Sequence, residues 1–256
     1  MRGRRDADLT AWWLGRVPYR EAWDLQHRLV LARREGAVGD QLLLLEHEPV
    51  LTLGRRGDPA HVRAAREELA ARGIEVIQVE RGGDVTYHGP GQLTAYPIVG
   101  LAERRLGVRP FVRALEEAMS VTCAAMGVAA GPLEAQPGCW CGGRRKIGAI
   151  GIRVERGIGY HGLALNVSVR LSDFDLIDAC GMAAVESTSI DRELGRLAEP
   201  STESVARAAA ELAPALGRAL GAPIAGSPSP DAAPSLERRR LEAMLAAPSA
   251  LLVGAR

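Results

Sequence analysis

One lysine sets the chemistry to look for. Lys146 lies in the stretch GCWCGGRRKIGAIGIRV, residues 138–154, and is the only lysine in a chain whose 32 Lys and Arg are otherwise all arginine. Arginine serves wherever a solvated positive charge is enough. It does not serve where an amine must share or lose a proton, because guanidinium stays charged at every accessible pH and a desolvated ammonium does not. Lys146 is therefore a candidate for proton chemistry, set against the plainer reading of a surviving surface lysine. Its natural partner is a thiol, since an ammonium within reach stabilises the nucleophilic thiolate. Of the four cysteines, Cys180 in DACGM precedes a glycine in a loop, which suits a nucleophile. Cys123 falls among Val121, Ala124 and Ala125 and reads as a small core hydrophobe. Cys139 and Cys141 form Cys-x-Cys beside glycines, without the CxxC spacing or the second Cys/His pair of a zinc site. Two intervening strands could bring Cys180 to Lys146, but spacing alone does not prove the pair.

Two further stretches carry ligand-binding character. RGGDVTYHGPGQ, residues 81–92, crowds glycine and proline around Arg81, Tyr87 and His88. Such residues allow tight turns and close approach to a ligand. It is neither GxGxxG nor a phosphate-binding GxxxxGK[ST] loop. GYHGLALNV, residues 159–167, places His161 and Gly162 inside a strand pattern, and the glycine implies that something approaches the backbone there.

The elements that must position these residues read as a mixed pattern. Strands are expected at 12–17, 42–45, 50–53, 74–79, 92–98, 147–154 and 160–167, the last two joined by a turn at Arg156–Gly157. Helices are expected at 19–35, 110–126 and 202–220. Another is expected over DPAHVRAAREELAARG, with Asp58 as cap, Pro59 at the first helical position and Gly73 as terminator. Strands and helices do not alternate regularly, so the fold class is α+β. GAPIAGSPSPDAAPS, residues 221–235, has linker composition, and LERRRLEAMLAA behind it suits a short helix. The organisation expected is a catalytic domain over 1–220 and a linker with a short extension over 221–256.

Composition narrows the partners. A formal net charge of +1 gives no bulk attraction to nucleic acid or membranes. Hydrophobic residues make up 47% and charged residues 25%, as in globular domains. No apolar run approaches the ~20 residues of a membrane span, and no signal-peptide pattern is evident. A cytoplasmic protein with reduced thiols is the expectation.

Taken together, RGGDVTYHGPGQ, GRRKIGAIGIRV, GYHGLALNV and the following ACG resemble the lipoyl(octanoyl) transferase family in order and spacing, over roughly residues 14–220. The resemblance implies a biotin/lipoate protein ligase-like fold, with mixed sheets flanked by helices. It implies that an octanoyl group is taken from acyl carrier protein, held as a thioester on Cys180, and passed to a lysine. That lysine belongs to a lipoyl domain of a 2-oxoacid dehydrogenase or to the glycine cleavage H protein. Lys146 matches the residue that lowers the cysteine's pKa. Three segments match substrate-binding positions: Arg81, Gly82, Gly83, Asp84, Val85, Thr86, Tyr87 and His88; Ala149, Ile150 and Gly151; and Gly162, Leu163 and Ala164. No cofactor and no metal are implied. Ala179 stands where the family usually has proline, and the Cys139/Cys141 pair lies outside the family pattern. An ATP-dependent lipoate or biotin ligase and a non-catalytic acyl-binding module remain the competing readings; the biotin-ligase glycine-rich nucleotide loop is absent.

Overall fold

The computed structural model describes residues 8–178, 185–196, 199–226 and 233–246. The chain opens with β1 (Leu9–Val17), α1 (Tyr19–Arg34), β2 (Asp40–His47) and β3 (Val50–Leu53). A short helix α2 (Arg66–Ala71) leads to β4 (Glu75–Gln78), β5 (Val85–His88) and β6 (Gln92–Gly100). After α3 (Val108–Ala125) come β7 (Gly131–Leu133), β8 (Gln136–Cys141), β9 (Arg145–Glu155) and β10 (Ile158–Asn166). The last described elements are β11 (Glu186–Ser187), α4 (Ile190–Glu193), α5 (Thr202–Ala219), β12 (Ile224–Ala225) and α6 (Pro234–Ala246).

These strands form two sheets. The larger runs β12-β1-β2-β6-β10-β9-β8-β7, with β11 added on β9, and mixes parallel and antiparallel pairs. The smaller runs β4-β3-β5. Helices cover both faces of the large sheet, which explains why DQLLLLEH in β2 reads as a continuous apolar run. Leu42 and Leu44 pack toward α3 and α5 with Phe111, Leu115 and Leu212. Leu43 and Leu45 face the opposite layer with Leu25 and Leu29 of α1. Among the described residues, no helix is long and apolar enough to cross a membrane.

Four segments differ at least in part from the sequence expectations. The helix expected from Asp58 to Gly73 is split. Asp58 does cap through its side chain, but only a 3-10 turn over Pro59–His61. Val62 then bridges to Ile177, and the main-chain N–H groups of Arg63 and Ala64 donate to the carbonyl of Leu176. Tertiary pairing thus outcompetes helix propensity over four residues, and α2 starts only at Arg66. The 81–92 stretch holds strand β5, and the Cys-x-Cys stretch belongs to strand β8. Beyond residue 220, β12 pairs with β1 at the sheet edge. There α6 packs Leu241 onto Leu14, Val17 and Leu25, while Arg238 donates to the carbonyls of Leu14 and Arg16.

Candidate active site

The β9–β10 ladder joins two of the expected wall segments directly. Its register sets Ala149 against Ala164, Ile150 against Leu163, and Gly151 against Gly162. The third segment comes from the other sheet. Val85–His88 pairs with β3, and the preceding arm is tied to β9 by the N–H of Gly82, which donates to the carbonyl of Ile152 at 2.9 Å. Glycine is required where these pieces touch. A Cβ on Gly151 would lie 2.9 Å from both Arg81 Cδ and the carbonyl oxygen of Gly82. One on Gly162 would lie 2.1 Å from the carbonyl oxygen of Ala95, so the close neighbour that the sequence implied there is strand β6.

One cavity sits between the two sheets at this junction. It is lined by the expected wall residues except Gly82 and Tyr87, and also by Tyr19, Thr94, Tyr96 and His161. Tyr87 turns away from it, donating its hydroxyl to Asp173 Oδ2 at 2.7 Å within a separate hydrophobic cluster. Arg81 is buried and braces the arm. Its Nε donates to Thr52 Oγ1 at 3.2 Å, Nη2 to the Thr52 carbonyl at 2.6 Å, and Nη1 to the Gly82 carbonyl at 3.1 Å.

Buried rings close one side of the cavity. Tyr19 stacks on His88 with centroids 5.9 Å apart, and Tyr96 meets the His161 ring edge-on at 6.2 Å. Behind them His47 bonds the Val17 carbonyl through Nδ1 at 2.9 Å and Tyr96 Oη through Nε2 at 2.7 Å. Since a carbonyl only accepts, Nδ1 carries the proton and the Tyr96 hydroxyl donates to Nε2. Burial pushes His47 down to about 4. His88 is also pushed well down, by burial and then by the nearby His47 and Arg81. Burial lowers His161 as well, although Glu80 opposes the shift. The three imidazoles are neutral at pH 7. Glu80 accepts from Trp23, His27 and His161 at 3.1, 2.9 and 3.1 Å. Burial alone would raise its pKa, but the hydrogen bonds from His161 and Trp23 hold it below the usual range.

The tautomer of His88 is set from a distance. Thr188 lies next to β11, and its main-chain N–H donates to the Lys146 carbonyl at 2.9 Å. Its own carbonyl accepts from Asn166 Nδ2 at 2.9 Å. Asn166 Oδ1 must then accept, and it does so from Gln92 Nε2 at 3.0 Å. Gln92 Oε1 in turn accepts from His88 Nδ1 at 2.7 Å. A carbonyl at one end of this relay therefore leaves the proton of His88 on Nδ1.

Lys146 precedes Ala149 by three residues on β9 and is buried. Its ammonium stands 5.0 Å from the centre of the Trp140 ring, in cation–π range. Strand β11 runs parallel to this part of β9, with Ser187 opposite Lys146. Cys180 lies outside the described residues. The described chain on its two sides is held at Asp178, whose N–H donates to the His61 carbonyl at 2.8 Å, and at β11 beside Lys146.

The other three cysteines are free thiols buried in the core between the large sheet and α3. A hydrogen bond with Cys139, then burial, raises the Cys123 thiol, and the same bond lowers that of Cys139. Burial pushes Cys141 up to about 11. Among the described residues no group of three or more His, Cys, Asp or Glu could hold a metal ion. Sequence reading missed Tyr19, Thr94, Tyr96, Gln92, Asn166 and Thr188 as parts of this assembly. Tyr19 and Tyr96 lie far apart on elements whose apolar pattern already explains them, and the relay residues carry no spacing signal.

Comparison with known proteins places this geometry. Residues 18–212 match the family model described as the lipoyl protein ligase A/B catalytic domain. An octanoyltransferase of Acidobacterium capsulatum is 49% identical over 193 residues, covering 71% of this chain and 78% of that protein. One of Chloroflexus aggregans is 46% identical over 206 residues, covering 80% and 93%. One of Myxococcus xanthus is 47% identical over 193 residues, and there the match covers 73% of this chain and about half, 54%, of the relative. Solved structures show the same fold. A lipoate-protein ligase A bound with ATP superposes with a TM-score of 0.60 at 17% identity, covering 92% of this chain and 94% of that one. A bipartite lipoate protein ligase from Thermoplasma acidophilum, studied with its E2 lipoyl domain, gives 0.55 at 16% identity, covering 93% of each chain. On this evidence the chain belongs to the lipoyl protein ligase A/B catalytic-domain family and, within it, to the octanoyltransferases.

Proposed function

We propose that octanoyl transfer proceeds here in two steps through Cys180, with acyl carrier protein as donor, in the cytoplasm. The Cys180 thiolate attacks the donor's thioester carbonyl, the carrier thiolate leaves and takes a proton, and the octanoyl group stays on Cys180. A lysine amine of a lipoyl domain, of a 2-oxoacid dehydrogenase or of the glycine cleavage H protein, then attacks this thioester. An amide forms, Cys180 is released, and the amine's proton must be taken up. The Lys146 ammonium favours the thiolate and gives its proton to the departing carrier thiolate, and the neutral amine left behind receives the proton of the attacking lysine. The walls formed by the arm, Ala149–Gly151 and Gly162–Ala164 hold the acyl chain.

One observation carries this reading. The three wall segments converge on one cavity, and the strand that supplies one of them also carries Lys146, with β11 from the far flank of the Cys180 segment laid alongside it. The lipoate protein ligase studied with its E2 lipoyl domain shares this fold, which suits a lipoyl-domain acceptor.

Intact-protein mass spectrometry after mixing with octanoyl-acyl carrier protein tests it. Wild type and Cys123→Ala should gain one octanoyl mass without ATP, and Cys180→Ala should not. An adduct retained in Cys180→Ala, or strict dependence on ATP and free acid, would overturn the reading.

A further inference from the structure

The cavity has a direction. Along β9 the rise is roughly 3.3 Å per residue, which puts Ala149 about 10 Å and Ile152 about 20 Å from Lys146. An extended octanoyl chain measures about 9 Å, at roughly 1.3 Å of advance per carbon–carbon bond. If the acyl carbonyl is held between Lys146 and Ala149, the chain end falls between Ala149 and Ile152, around the Gly151–Gly162 pair. The next register pair is Ile152 with His161. That is where the buried rings stand.

The floor they make is rigid. His161 has a left-handed φ of 54°, and its N–H donates to Gln26 Oε1 of α1 at 3.0 Å. The β6–β10 pairing has no partners between Gly159 and Leu163, where the backbone departs from the ladder to carry that ring. Glu80 fixes His161 from behind, His47 fixes Tyr96, and the Gln92 relay fixes His88. Tyr19 differs from the other three. It is the first residue of α1, outside both sheets, and only 4% exposed. Shortening it opens the floor without breaking a ladder or the Gln92 relay, and removes the hydrogen bond between its hydroxyl and that of Tyr96.

We propose that Tyr19, His88, Tyr96 and His161 close the distal end of the acyl cavity and set the chain length it accepts, with Tyr19 the specificity-determining residue. This rests on the reading that Cys180 and Lys146 hold the reacting carbonyl. Polar ring edges at the floor offer nothing to a ninth or tenth carbon, whereas a shorter chain leaves apolar wall uncovered.

The test compares kcat/KM for hexanoyl-, octanoyl-, decanoyl- and dodecanoyl-acyl carrier protein in wild type, Tyr19→Ala and the milder Tyr19→Leu. Each methylene newly taken up is worth about fourfold. The decanoyl-to-octanoyl ratio should therefore rise up to about fifteenfold in Tyr19→Ala and less in Tyr19→Leu, while the hexanoyl-to-octanoyl ratio does not rise. Should Tyr19→Ala fail to fold, Tyr19→Leu carries the comparison. A ratio unchanged within about twofold in a folded variant that still forms the octanoyl adduct on Cys180 overturns the floor proposal and leaves the two-step reading intact. Wild type that forms no adduct overturns the two-step reading instead.

Discussion

The arm that carries Arg81 and the strand start that carries Lys146 each hold a buried cation, and they hold it differently. The Arg81 guanidinium forks into fixed carbonyl and hydroxyl oxygens of Thr52 and Gly82. That geometry suits a brace: arginine's planar donors lock two loops at one distance, and its charge never changes. The Lys146 main chain is equally well held, in ladders with β8 and β11, but its ammonium lies over the face of Trp140. A ring face attracts a cation without prescribing one donor direction. On the proposed two-step reading, this difference fits an arm that sets shape and a strand that carries the proton-handling lysine.

The sharpest way to break this comparison is at the lysine. Lys146→Ala should lower kcat for octanoyl transfer by about a thousandfold, within the range of lost acid–base and thiolate support, with melting little changed. Lys146→Arg refines the result: near-normal transfer would mean that charge alone suffices, and would remove the proton role.

The next effect is one of pH, and it falls on the wall side. His47 is held at about 4 when folded, against an ordinary value near 6.5. Between these values the unfolded chain binds more protons, so stability rises with pH across that window and is lost as pH falls from about 6.5 toward 4. The contribution of His47 is about 3 kcal/mol. His88 and His161, lowered as well, act in the same direction. Melting temperature against pH should fall steeply over that range, and more shallowly in His47→Gln; equal slopes would remove His47 from the account.

Arg81→Lys should cost about 2 kcal/mol of stability through lost hydrogen bonds and raise KM more than it lowers kcat. A fall in kcat alone would give the arm a chemical role that the comparison denies it. The smallest change expected is Trp140→Leu. Loss of a cation–π contact of about 1 kcal/mol should alter transfer a few-fold, and the pH dependence of Cys180 alkylation reports whether the lysine has shifted.

Much of the scaffold was legible because local rules and tertiary contacts agree. The 19–34 and 202–219 helices, the β9–β10 hairpin with its turn at Arg156–Gly157, and the strand ending at Leu53 all follow hydrophobic period and turn chemistry. Disagreement is informative where it occurs. Val62 leaves a helix pattern to pair with Ile177, and Cys139 and Cys141, which lack the spacing of a zinc site, lie buried along β8. Their burial in a shared core explains them as packing.

By itself the sequence determined which residue types are present and their local geometry: one lysine among arginines, glycines at the arm and in β10, and a histidine beside a glycine in both motifs. Local geometry is a property of neighbours in the chain, so it can be read there. Only the tertiary structure decided that Tyr19 from a helix start, His88 from the small sheet, and Tyr96 and His161 from the large one meet at one floor. It alone decided that the Thr188 carbonyl sets the His88 tautomer through Asn166 and Gln92. Such contacts join residues tens of positions apart, and no period or spacing in a single sequence encodes which distant faces will be pressed together.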